Sequence, residues 1–165
     1  MTTITTAEII EVLSVAKNLN AALKNLMKRE GGSNPAVAAF AKEFRSKVGA
    51  GRLAGAEGFI DKCIEKGKEG FFFGVARYAF ADVIDMAVEQ IIERYADEFN
   101  ATYERTEQGI GVKNSERFRE IASDVSKLSV SALTTAEVPV NSYSRGVMLA
   151  TVFEADVLEE VQKYL

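Results

Sequence analysis

The sequence predicts an all-α protein, a single-domain bundle over residues 1–165 with about six helices. Three observations lead there. Apolar residues recur at intervals of three and four through most of the chain, and no stretch alternates with period two. Proline stands only at Pro35 and Pro139, so long runs are free to be helical. From Phe71 to Ile92, 16 of 22 residues are apolar, the composition of a helix covered on most sides.

The elements follow in order. Thr5-Thr6-Ala7-Glu8 reads as a capping box, with Thr5 accepting an amide and Glu8 reaching back. It opens a helix from Thr6 to about Glu30 with Ile9, Leu13, Ala16, Leu19, Leu23, Leu26 and Met27 inward. Gly31-Gly32 stops that helix. Asn34 as N-cap and Pro35 in the first turn start the second, whose inner face is Val37, Phe40, Ala41, Phe44 and Val48. Gly49-Ala50-Gly51 breaks the chain again, and a third helix is predicted from Arg52 to Lys68 around Leu53, Ala56, Ile60, Cys63 and Ile64. After Gly70 comes the predicted centre, one long helix from Phe71 to about Thr106, with Ile91, Tyr95, Phe99 and Thr102 inward in its amphipathic second half. Gln108 to Asn114 is a glycine-bearing loop. Ser115 caps a helix to about Thr135 along Phe118, Ile121, Val125, Leu128 and Ala132. Val138-Pro139-Val140 is extended, because the residue before proline avoids the helical region. Asn141 or Ser142 caps a last helix to about Tyr164, with Val147, Met148, Val152, Ala155, Leu158 and Val161 as its stripe.

Composition narrows the chemistry. Histidine is absent, which removes His-type zinc sites, an axial haem histidine, the Glu-x-x-His pairs of di-iron bundles and any Ser-His or Cys-His base. No cofactor is predicted. The single Cys63 forms no internal disulfide, as suits a reducing compartment. Met1 to Thr6 has no basic segment followed by an apolar one, so no signal peptide is expected. Arg77, Asp82, Asp85 and Glu89 interrupt the apolar run and argue against a membrane span. These features lead us to expect a soluble cytoplasmic protein, or one carried in a particle.

Several constellations invite a sharper reading, and each has a plainer one. Tyr78, Asp82, Asp85, Glu89 and Glu93 share a helical stripe. Asp82, Asp85 and Glu89 are candidate ligands for a hard divalent cation, which prefers oxygen donors. The plainer reading, a solvated helix edge, is preferred. Gly49-Ala50-Gly51-Arg52-Leu53-Ala54-Gly55 looks like a phosphate loop, but a dinucleotide fingerprint follows a strand and this one follows a helix. Close helix passage explains its small residues better. Tyr143-Ser144-Arg145-Gly146 offers a hydroxyl and a guanidinium to an anion, or simply forms a first helical turn. Lys62 and Lys66 flank Cys63 and favour its thiolate, yet no base stands nearby in sequence.

Charge is uneven. Residues 1–70 hold 11 basic and 8 acidic side chains, and residues 71–165 hold 9 and 16. The excess of cations concentrates in residues 17–52. The plainer reading of this excess, a solvated helical hairpin, is preferred; on the sharper one Lys42, Arg45, Lys47 and Arg52 are candidate contacts for nucleic acid, a lipid surface or the acidic half of a second copy, and self-association is favoured among these. Nucleic acid is disfavoured by the overall charge of −4 and the missing recognition motif. Phe71, Phe72 and Phe73 span nearly a full turn, so their rings cannot share one core. At least one is expected to meet a partner, a ligand or a second helix layer. The functional expectation is a non-enzymatic helical protein–protein interaction or assembly module that self-associates. The alternative is a bundle that binds a small apolar ligand or chromophore.

Overall fold

The computed structural model of the chain describes residues 4–48 and 53–165. The fold is predominantly all-α. Among the described residues the helices are α1 Thr6–Leu13, α2 Leu19–Arg29, α3 Pro35–Val48, α4 Glu57–Glu65, α5 Gly70–Ala79, α6 Ala81–Asn100, α7 Ser115–Thr135, α8 Ser142–Val152 and α9 Ala155–Gln162. A 3-10 turn, Leu53–Ala56, leads into α4, and a hairpin of β1 Tyr103–Thr106 and β2 Gly109–Val112 separates α6 from α7. None of these helices is long and apolar enough to cross a membrane.

The described residues gather into two compact units. One holds the chain up to Ala81 together with Val138–Val147, and the other holds Asp82–Glu137 with Met148–Leu165. In the first, α2 packs on α3 and α5, and α1 on α4 and α5. In the second, α9 packs on α7 and β2.

The long central helix is corrected. Phe80 ends α5 at φ −119° and ψ 29°, and Ala81 starts a new helix. The apolar positions stay in phase across the break, with Phe72, Val75 and Ala76 buried on α5 and Ile84, Val88 and Ile91 on α6. Two shorter helices replace the single one expected from Phe71 to about Thr106. The far end of the predicted helix is also corrected. The Thr102 hydroxyl donates to the Phe99 carbonyl at 2.6 Å, and the Thr102 carbonyl accepts from the amides of Lys113 and Asn114 at 2.7 and 3.1 Å. Those bonds end α6 and hold both ends of the hairpin, whose antiparallel register pairs Tyr103 with Val112 and Thr106 with Gly109. Gly109, at φ 113°, takes the backbone conformation that a side chain would oppose.

Three other helices are shorter than expected. The first divides at Ser14, whose hydroxyl donates to the Ile10 carbonyl while the Val15 and Ala16 amides bond three residues back. Serine and asparagine offer the backbone such alternatives, so Ser14 to Asn18 leaves the helix although the apolar spacing continues through it. The third reduces to the 3-10 turn and α4. It ends in a Schellman motif, with Gly67 at φ 69° and the Gly67 and Lys68 amides bonded to the Ile64 and Cys63 carbonyls at 3.1 and 2.8 Å. The last divides at Phe153 and Glu154 into α8 and α9.

The start signals are read more accurately. Asn34 Oδ1 accepts from Ala36 at 3.1 Å, and Asn141 Oδ1 from Ser144 at 3.0 Å. The α7 cap is Asn114, one residue before Ser115, accepting from Arg117 at 3.2 Å. The capping box is formed and does more than cap α1. Glu8 Oε1 accepts from the Thr5 amide at 3.0 Å, and Glu8 Oε2 accepts from the Ser142 amide at 2.9 Å. One carboxylate thus serves the first turns of two helices that are distant in sequence. Burial pushes the Glu8 carboxyl up, and the bonds from Ser142 and Thr5 outweigh that and leave it below the usual range. A depressed acid stabilises the fold above its unfolded value and loses that contribution as pH falls through the folded one. Glu8→Ala is expected to cost about 1–2 kcal/mol in urea unfolding at neutral pH. The deficit should shrink as the wild type is acidified through the carboxylate range, and an unchanged deficit there would contradict this role.

Candidate functional site

The second unit carries a half-open apolar groove of about 210 Å³ between α6, α7 and the α8–α9 corner. Helical spacing builds its α6 wall. Ile91, Tyr95 and Phe99 recur at four, and Ile92 and Ala96 lie beside them toward solvent. The floor is buried Ile121 and Val125 from α7 with Phe153 and Val157 from the corner. Aromatic packing fixes it. The Phe99 ring stacks on Phe118 at 4.9 Å and meets Phe153 at 5.1 Å, and Phe118 is closed from outside by Tyr164 at 5.0 Å. Ile92 stays 41% exposed at the rim, and Met86, further up α6, is 60% exposed.

Tyr95, Asn100, Tyr103 and Glu154 bring polar groups to the groove. Tyr103 hydroxyl donates to Asn100 Oδ1 at 3.1 Å. Glu154, the one carboxylate among the lining residues, accepts from Arg105 at 2.7 Å, while Arg105 Nε holds Asp156 at 2.9 Å. The Arg105 hydrogen bond keeps the Asp156 carboxyl below its ordinary range. This clamp fastens β1 to the first turn of α9, where carboxylates also suit the helix dipole.

The carboxylates Asp82, Asp85 and Glu89 are exposed on the outer face of α6, with Glu93 and Asp97 continuing the row. Among the described residues no group of three or more Asp, Glu, His or Cys side chains is placed to hold a metal. Tyr78 belongs to α5 and its hydroxyl lies 3.5 Å from Glu30.

The phenylalanine triplet divides its rings. Phe72 is fully buried against Phe44 at 5.5 Å, and Phe71 lies between Phe40 at 6.0 Å and Phe44 at 6.2 Å. Phe73 turns the other way, onto Tyr143 at 6.1 Å and against Gly146, where an added Cβ would come within 2.9 Å of its ring. Each ring has a neighbour inside its own unit, and Phe71 and Phe73 stay partly exposed. The first turn of α8 is similarly committed. The buried Tyr143 hydroxyl donates to the Phe72 carbonyl, Ser144 to the Pro139 carbonyl at 2.6 Å, and Arg145 Nε to the Asn141 carbonyl at 3.4 Å. The Tyr143 and Ser144 hydroxyls are thus engaged within the chain. Cys63 is buried, and burial pushes its thiol up, reinforced by the nearby Glu43 charge and only partly opposed by Lys66, so its flanking lysines do not favour the thiolate.

Lys42 and Lys47 are exposed on α3, and Arg45 is half-buried beside them. Arg52, with the segment Gly49-Ala50-Gly51, lies outside the described residues. Helix position explains part of the basic excess. Lys28 and Arg29 fill the last turn of α2, and Arg45 and Lys47 that of α3, where cations meet the negative end of the dipole. Lys24 and Lys42 have no such account.

Sequence reasoning placed Ile91, Tyr95 and Phe99 on an inner face but did not find the groove. Phe153, Val157 and Asn100 were missed, and the one available signal was the aromatic Phe153 beside Val152 in the middle of the last stripe. No family model matches the chain, and no curated protein or solved structure matches it.

Proposed function

We propose that this protein is a non-enzymatic helical module that works by associating with protein, first of all with itself, through the groove-bearing face of α6. The observation that carries this reading is the half-open groove with Ile92 at 41% exposure on its rim. Apolar helix faces bind partners by setting side chains into such grooves, and aromatic walls supply most of the energy. The absence of histidine and the engaged state of Glu154 support a contact role over a chemical one.

A small apolar ligand is the second reading, favoured by the lining itself. Size weighs against it. The groove's 210 Å³ falls below the range of about 300–1,000 Å³ usual for ligand pockets. One or two side chains of a partner suit it better.

Sedimentation of the full chain at high micromolar concentration tests the proposal. A mass above one chain is expected, reduced to one chain in Ile92→Glu, whose circular dichroism and unfolding midpoint are compared with the wild type. A wild type that stays monomeric would overturn self-association. An apolar molecule carried in native mass spectra, and displaced by bulk at Ile92, would move the assignment to the second reading.

A further inference from the structure

We propose that the exposed face of α6 docks on the basic α2–α3 hairpin of a second copy. The inference rests on the association reading above and names its partner and polarity. Two surfaces carry it. On α6, Asp82, Glu89, Glu93 and Asp97 are exposed in one row, with Met86 among them and the Ile92 rim of the groove along their edge. On the hairpin, Lys24 and Lys28 stand one turn apart on the outer side of α2, whose inner side is Leu19, Ala22, Leu23 and Leu26. Lys42 and Lys47 are exposed on α3, which packs against α2. Among the described residues these four lysines form no ion pair.

The charge division follows the structural one. Counted over the sequence of each unit, the one with α6 has 7 basic and 16 acidic residues, and the one with the hairpin has 13 and 8. The first is therefore −9 and the second +5, which together return the chain's −4. A chain so divided presents its own complement at equal concentration. Unlike faces attract and like faces repel, so the charges set which surfaces meet, while Met86 and Ile92 supply apolar burial. Nucleic acid and anionic lipid would match the hairpin but leave the acidic row repelled. Contacts between unlike faces close into a ring or dimer, or propagate, according to their rotation.

The test is light scattering and sedimentation on the full chain. Association is expected at low salt and is expected to weaken toward 1 M, where the Debye length falls from about 10 Å at 0.1 M to about 3 Å. Glu89→Lys/Glu93→Lys and Lys24→Glu/Lys28→Glu should each associate at least about tenfold more weakly than wild type, since like charges then face each other. Mixing these two variants should restore the complex, because the reversed α6 row of one meets the reversed hairpin of the other, and the two unreversed faces meet as in the wild type. Association that is abolished by Ile92→Glu but ignores both reversals would overturn this docking and leave the association reading standing. A monomeric wild type at low salt would overturn both. A hairpin that binds a DNA duplex or anionic vesicles while the reversals leave self-association untouched would also overturn the docking.

Discussion

Replacing Phe44 with alanine is expected to destabilise the protein by about 3–5 kcal/mol, a large share of an ordinary folding free energy of about 5–15. Phe44 is fully buried on α3 and is the meeting point of the largest aromatic cluster in its unit. Its ring stacks on Phe59 at 5.8 Å and takes edges from Phe72 at 5.5 Å and Phe71 at 6.2 Å. Truncation removes the transfer energy of the ring and leaves a cavity whose walls belong to α3, α4 and α5. Rigid rings close such a space poorly. The aromatic pairs add about 0.5–1.5 kcal/mol each beyond area burial. Urea unfolding followed by circular dichroism is the measurement, read as a fall in midpoint at unchanged slope. Phe40→Ala is the comparison. Phe40 touches Phe59 and Phe71 but is only half-buried, so its loss should be clearly smaller. Equal losses at the two positions would contradict the packing described.

That cluster shows what the sequence disclosed and what it withheld. Phe40, Phe44 and Phe72 were assigned to helices whose extents were partly right, because three-and-four spacing reports one face of one helix. The caps at Thr5, Asn34 and Asn141 were legible for the same local reason. The breaks were not. From Phe72 through Ala76 and Phe80 to Ile84 and Val88 the apolar spacing runs on in fours, so periodicity passes through a helix end as if nothing happened. The end at Phe80 leaves no mark in that spacing. The hairpin was hidden by its length. Four residues in each strand are too few to show alternation, and Tyr103 and Thr106 extend the preceding helical register. The groove was half visible. Tyr95 and Phe99 were placed inward, but a hollow exists only where the opposing surface falls short. That surface comes from Phe153 and Val157, more than fifty residues away. The charge division, by contrast, was legible as composition, and the structure adds which helices display it.

Gly31→Ala is expected to cost about 1–3 kcal/mol, although alanine is the better helix former by about 1 kcal/mol. The Gly31-Gly32 pair was read as a helix stop, and Glu30 does close α2 there. The requirement at Gly31 is space rather than a left-handed backbone. A Cβ there would lie 2.4 Å from the Met27 carbonyl oxygen and 2.8 Å from the Ala38 Cβ. One obstacle is backbone and the other is fixed to the backbone of α3, so neither can rotate away, and the α2–α3 turn must open. Gly58→Ala is the control of opposite sign. Its Cβ meets nothing within 4 Å, and the residue is exposed in the first turn of α4. There the substitution should stabilise by about 0.5–1 kcal/mol through the lower entropy of the unfolded chain. Thermal unfolding should move the two variants in opposite directions. A Gly31→Ala protein as stable as wild type would mean that the two helices do not approach so closely. The turn also fixes how Lys24 and Lys28 stand relative to Lys42 and Lys47. Opening it should therefore weaken salt-sensitive self-association at temperatures where the variant is still fully folded, whereas Gly58→Ala should leave that association unchanged.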